Sequence, residues 1–198
     1  LVRRVDDTTG VTVVAFDDTP IATMQTGQSI LFVWNGAAWT QPLTKNVIPY
    51  MHVREEQTSG TEGGAATATT THVRTLNTVK ENTIEGASLS SDRPTLPPGK
   101  YRFRGKAPHW CSNSNSPHKA SLYNVTADTN LLVGQNAVTY YLGIQTNSEV
   151  VGVAVLSEET ALELRHYTTG AQTVNGLGRA TGNGQVEVYS ELEIWKIG

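Results

Sequence analysis

The run Leu96-Pro97-Pro98-Gly99-Lys100-Tyr101-Arg102-Phe103-Arg104 decides how this chain is read. A Pro-Pro-Gly turn delivers the backbone into a segment whose side chains alternate, Tyr101 and Phe103 to one side, Lys100, Arg102 and Arg104 to the other. Such period-two alternation belongs to a strand that packs one face on a core and shows the other to solvent. It returns in Ala120-Ser121-Leu122-Tyr123-Asn124-Val125-Thr126 and in the closing run from Val186 to Ile197.

Working outward, strands are expected near 47–55, 72–79, 86–90, 99–107, 119–126, 130–135, 148–156, 160–167 and 186–197. Turn residues separate them and no segment has helical period, which argues for an antiparallel sandwich over parallel βαβ units. The expected class is all-β, with a small N-terminal β module over 1–45 followed by an antiparallel jelly-roll β-sandwich over 46–198.

Within the first module, Val11 to Phe16 and Ser29 to Trp34 read as strands, with turn chemistry at Asp17-Asp18-Thr19-Pro20. Asn35-Gly36 marks a tight hairpin into Ala38-Trp39-Thr40, because both residues tolerate positive φ. Trp34 and Trp39 are either the core of so small a unit or a sugar-stacking pair. Residues 57–71, rich in Gly, Ala, Ser and Thr, cannot recover ordering entropy by burial and read as a surface loop or extended arm.

Composition narrows the function classes. A formal charge of −3 and a pI near 6.0 lack the basic footprint of a nucleic-acid binder. The single cysteine, Cys111, has no internal disulfide partner, and no apolar run approaches the roughly 20 residues that span a bilayer. A soluble chain without membrane insertion, metal or cofactor is expected.

The strings LPPGKYRFRGKAP, ASLYNVT, ALELRHY and EVYSELEIWKI, over residues 47–198, resemble the C-terminal receptor-binding domains of bacteriophage tail fibres and related spikes. The stretch ILFVWNGAAWTQ is similar to the shoulder modules that join stalk to tip in such fibres. The resemblance implies a tumour-necrosis-factor-like jelly roll that works as a homotrimer at the end of a stalk. It also implies that the chain, which begins at Leu1, is a piece of a longer fibre. Tyr189 and Trp195 are candidates for the trimer seam or for the core. Expected partners are a bacterial surface polysaccharide and, through the N-terminal side, other fibre, baseplate or head proteins. The expected location is the virion or a gene-transfer particle, extracellular when acting.

Antiparallel connections alternate between the ends of a sandwich, so loops 108–118, 136–147 and 168–185 should share one end, opposite the turns near 127–129 and 157–159. The chain would enter from the opposite end, leaving those loops at the distal tip. The first loop carries His109, Trp110, Asn113, Asn115 and His118; the second carries Tyr140 and Tyr141; the third carries Arg179 and Asn183, beside Tyr167. Aromatic faces stack on the C–H face of a pyranose, and Asn, His and Arg bond its hydroxyls. These ten residues form the expected glycan site. Trp110 could instead plug the end of the core or pack at a subunit seam, and adjacency leaves at most one of Tyr140 and Tyr141 free.

Signals for catalysis or metal are weaker. His109, Cys111 and His118 lack a fourth ligand in their loop, and a Cys-His pair lacks a positioned base and oxyanion hole. The pairs Asp17-Asp18 and Glu55-Glu56 point to opposite faces of a strand, Glu158-Glu159 lies in a turn, and NGLGRATGNG has no strand-to-helix context for a phosphate loop. The reading is attachment without catalysis; a ligand-free fibre cap and a polysaccharide-degrading or deacetylating spike are the alternatives.

Overall fold

The computed structural model describes residues 48–140 and 143–198 in full, and the backbone of 6–7, 10–14, 20–24, 33–34 and 39–40. The chain divides into two compact units, 1–47 and 48–198. In the first, β1 (Asp6–Asp7), β2 (Gly10–Val14) and β3 (Pro20–Met24) form an antiparallel sheet, and β4 (Val33–Trp34) pairs with β5 (Trp39–Thr40). Pro20, expected in a turn, opens a strand instead. The expected Asn35-Gly36 turn and the side chains of Trp34 and Trp39 lie outside the described residues.

The second unit is all-β. Its strands are β6 (Tyr50–Gln57), β7 (Thr70–Val73), β8 (Thr78–Asn82), β9 (Ser88–Ser90), β10 (Arg93–Leu96) and β11 (Gly99–Cys111). They continue with β12 (Ser116–Asn124), β13 (Thr129–Thr139), β14 (Ile144–Leu156), β15 (Thr160–Thr168) and β16 (Glu187–Lys196). One sheet has the order β14-β11-β16-β6-β8, the other β13-β12-β15-β10-β9 with β7 added on β15. The antiparallel ladders nest: β12 with β13, β11 with β14, β10 with β15, β6 with β16. A long hairpin rolled into two facing sheets gives this nesting, and that is a jelly roll.

Alternation fills the space between the sheets. Tyr101, Phe103, Leu122, Val150, Leu162, Leu164, Leu192 and Ile194 all point inward and are buried. Each apolar side chain taken fully from water contributes about 1.5–3 kcal/mol, so an unbroken core of this kind holds the two sheets together without staples.

Several expected boundaries are corrected. The strand expected at 72–79 is two strands in different sheets, because the chain crosses the core between Val73 and Thr78 with Arg74 inside. Strand β10, which lies between two expected strands and was not itself expected, holds Pro94 in a hairpin with the short β9 that turns through Ser91 and Asp92, both at positive φ. Strands β11, β12, β13 and β14 run further toward the distal end than expected. The loops of 108–118 and 136–147 therefore shrink to 112–115 and 140–143.

Those two connections share one end with 58–69 and 169–186, while 125–128 and 157–159 lie at the other end with the entry at Ile48 and the end of β16. Segment 58–69 is not an extended arm. Gly63 N bonds Gly178 O at 2.8 Å, Leu177 N bonds Gly64 O at 3.0 Å, and Ala66 pairs with Gln172, so the two long loops clasp each other. The Glu187 carboxylate pins both, accepting from Gly60 N, Thr181 N, Thr181 Oγ1 and Gly182 N. These donors, those of Thr181 and Gly60 first, hold its pKa down at about 2.

Candidate functional site

The longer strands remove part of the expected distal site. His109 and His118 are not loop residues but buried strand residues, 0% and 2% exposed. Trp110 is only 8% exposed; its Nε1 donates to Gly143 O at 2.8 Å and the Arg179 guanidinium lies 5.0 Å above its ring. It plugs the sandwich end, and Gly143, at φ +76°, lies against it, where a Cβ would meet the indole at 3.3 Å.

Asn113, Asn115, Tyr140, Arg179 and Asn183 remain exposed at the distal end, and Tyr141 lies outside the described residues. Asn113 Oδ1 accepts from Gln172 Nε2 at 3.0 Å, and Asn183 Oδ1 accepts from Gln185 N at 3.1 Å, so both carbonyl oxygens are engaged within the protein. The cleft between the clasped loops, about 560 Å³, is lined by Ala65, Ala66, Thr67, Asn113, Ala171, Gln172 and Thr173. Without an aromatic face or a charge it offers a sugar little.

Beneath the distal loops the interior is polar. His109 Nδ1 faces the Gly176 carbonyl at 2.6 Å, so it carries the proton, and Nε2 accepts from Ser116 Oγ at 2.7 Å. His118 Nδ1 and His166 Nε2 are 2.8 Å apart, and His118 Nε2 meets Thr146 Oγ1 at 2.8 Å. One assignment satisfies every donor: His166 Nε2–H to His118, and His118 Nε2–H to Thr146, which leaves only the His166 Nδ1 lone pair without a partner. All three imidazoles are held neutral. Burial, the largest cause, pushes His118 down to about 4 and His109 and His166 down as well, with the Arg74 charge acting the same way.

These histidines do not build a reactive centre. The Ser116–His109 pair has nucleophile-like geometry, but both residues are fully buried and the third partner is a carbonyl. Cys111 contacts Asn113, Ser114 and Gln172 and, among the described residues, no base. Among the described residues, no group of three or more His, Cys, Asp or Glu is placed to hold a metal ion.

A better candidate is a groove of about 660 Å³ on the outer face of the sheet formed by β13, β12, β15 and β7, running from the distal end along the strands. Side chains that alternate away from the core make its floor in cross-strand rows. Asn136 stands opposite Lys119, Lys119 opposite Tyr167, and Tyr167 opposite Thr71. Val133, Ser121 and Arg165 make the next row, Asn130 and Tyr123 the row beyond. The Arg165 guanidinium lies 3.2 Å over the Tyr123 ring, its Nε donating to Glu163 Oε2 at 2.8 Å, and Tyr123 OH bonds Asp128.

Of the ten expected residues, the groove includes Tyr167 and touches the edge of His118. It brings Tyr167 together with Lys119, Asn136 and Ser121, which loop-based reasoning missed. The available signal was outward alternation: Lys119, Ser121 and Tyr123 share one face of β12, and Arg165 and Tyr167 share the same face of β15. Tyr189 is buried, its OH donating to Thr61 O, whereas Trp195 stacks on Tyr50, 5.2 Å away, on the outer face of the other sheet.

No family model and no curated protein matches this chain. Among solved structures, murine APRIL at pH 5.0 is similar at a TM-score of 0.49 and 9% identity, covering 76% of this chain and 99% of that one. The globular domain of zebrafish complement 1qA protein is similar at a TM-score of 0.43 and 13% identity, covering 76% and 98%. The assignment as a jelly roll rests on the nested ladders described above.

Proposed function

We propose that this chain is the tip of a phage tail fibre or phage-like spike, attaching to a bacterial surface glycan without catalysis. The observation that carries the reading is the groove over β12, β13 and β15, where tyrosine, amide, hydroxyl and cationic side chains are displayed in rows on a rigid sheet. A chain of pyranoses laid along such a surface meets aromatic faces and hydrogen-bonding groups at successive rows. The strings that resemble phage receptor-binding tips support the same reading.

The working unit is a homotrimer. Val151, Val153 and Val155 stand exposed in a line on the outer face of β14, at 53%, 50% and 69%. Beside them Arg104 and Lys106 pair with Glu149, Glu193 and Glu191. Packing on this face buries the valines and leaves the groove, on the opposite sheet, open. Sedimentation equilibrium is expected to give three times the 21.4 kDa chain mass, and Val153→Lys to shift it toward the monomer. Three weak sites on one tip raise avidity by about 10² to 10⁴ where geometry permits, so attachment needs no chemistry.

The test is binding of the purified chain to a panel of bacterial capsules and lipopolysaccharides, with reducing ends and released acetate measured in parallel. Saturable binding to a subset with no product is the expected result. Sugar or acetate release would move the protein to an enzyme, and a trimer that binds no member of the panel would make it a structural cap.

A further inference from the structure

The groove carries a charge bias that the chain as a whole lacks. The protein has a formal charge of −3, yet the groove lining contains Lys119 and Arg165 and no Asp or Glu. The nearest acid on this face, Glu163, stands opposite Tyr123 but is buried and already matched by Arg93 at 2.7 Å and Arg165 at 2.8 Å. Burial works to raise its pKa, but the two cations together outweigh it and hold the carboxyl low. Asp128, at the far end, accepts from Tyr123.

Lys119 differs from the other cations. It is half-buried in the middle of the groove, flanked by Asn136 and Tyr167, and makes no ion pair among the described residues. Arg165 is held flat on Tyr123 and fixed by Glu163, so it contributes field and a stacking plane rather than a free arm. A surface lysine kept for solubility would stand on a rim in full water. One set between a tyrosine and an amide, with no ion-pair partner among the described residues, offers a positive point charge beside a sugar-stacking face.

We infer that the groove selects glycans that carry negative charge, a carboxylate or phosphate on the sugar seated at Lys119 while Tyr167 and Asn136 hold the ring. The inference rests on the glycan-attachment reading and names the chemical class of its ligand. A charge-assisted contact at a partly desolvated ammonium is among the stronger single polar contacts available.

The experiment uses the full chain and a panel of purified bacterial polysaccharides, acidic and neutral, together with the carboxyl-reduced or dephosphorylated form of each acidic polymer bound. Acidic polymers should be bound. Removing their charge, or substituting Lys119→Gln with melting temperature and oligomeric mass unchanged, should weaken binding about 10-fold or more, equivalent to ~1.4 kcal/mol. Lys119→Glu should abolish it, and the wild-type affinity should fall as salt rises. Equal binding of the charge-free polymer, preference for neutral polymers, or an unaffected Lys119→Gln protein overturns the inference while leaving glycan attachment standing. Failure to bind any polymer overturns both.

Discussion

Arg74→Leu is expected to lower the thermal midpoint by about 10 °C, the shift that a loss of about 3–5 kcal/mol gives a domain of this size. Arg74 is buried at the point where the chain crosses between sheets. Its guanidinium donates to Pro108 O at 3.3 Å, Leu177 O at 2.5 Å and Glu55 Oε2 at 3.3 Å, tying β11, the 169–186 loop and β6 together. Removing it leaves the buried Glu55 carboxylate without its cation and takes a donor from the Pro108 and Leu177 carbonyls.

Burial pushes Glu55 up and Arg74 down despite their mutual attraction, so desolvation outweighs pairing for both. Replacing the two together, Glu55→Met with Arg74→Leu, should therefore recover most of what the single change loses. Thermal melts of the two variants check the cycle, and hydrogen exchange over 169–186 should rise in the single variant. A single variant that melts within about 2 °C of the wild type would show that this ion pair does not secure the distal end.

The second large effect is acid lability. The folded-state pKa values of His109, His118 and His166 lie below the ordinary value of 6.5, so the unfolded chain binds protons that the folded chain refuses. Stability from this source is complete above pH 6.5 and is lost as pH falls toward about 4, at up to ~1.4 kcal/mol per pH unit for each histidine. For His118 alone that is about 2 kcal/mol between pH 6.5 and 5. His72, also held low, acts in the same direction, whereas Glu55, held high, opposes it at lower pH, where Glu187 in turn weakens. Protonating His118 at Nδ1 also sets donor against donor across its 2.8 Å contact with His166 Nε2, and the positive Arg74 opposes the added charge.

Thermal melts at pH 7 and pH 5 should differ by 10 °C or more, on the scale of about 2–4 °C per kcal/mol. The triple substitution His109→Gln, His118→Gln, His166→Gln should lower the midpoint at pH 7 and flatten its pH dependence. A pH-independent midpoint in the wild type would contradict the neutral buried network.

Period two made the sheets legible in the sequence, and with them the order of the ends, since each added strand reverses direction. Extents were less legible. Strand β11 continues through Pro108 to Cys111, a stretch whose Pro, His, Cys and nearby Ser and Asn carry loop chemistry. Its histidine is polar yet inward-facing, satisfied by Gly176 and Ser116 from segments whose proximity only the fold creates. The split at Arg74 was hidden for a similar reason, since a buried arginine is tolerable only once Glu55, Pro108 and Leu177 surround it.

The groove was harder to read than the sheets because loop chemistry points to the distal end. Tyr167 stands out in the sequence as a loop neighbour, but its partners Lys119 and Asn136 become neighbours only through the β12–β13 and β12–β15 registers.

Whether ligand lies along the β12–β13–β15 groove is tested most directly by mutational comparison. Binding of a recognised polysaccharide should be compared for wild type, a groove variant, Tyr167→Ala with Asn136→Ala, and a distal variant, Asn183→Ala with Tyr140→Ala, all at unchanged mass and melting temperature. Groove substitution should reduce affinity about 10-fold or more while distal substitution leaves it nearly unchanged. The reverse order, with the groove variant binding like wild type, would contradict the groove as the site and return recognition to the distal loops.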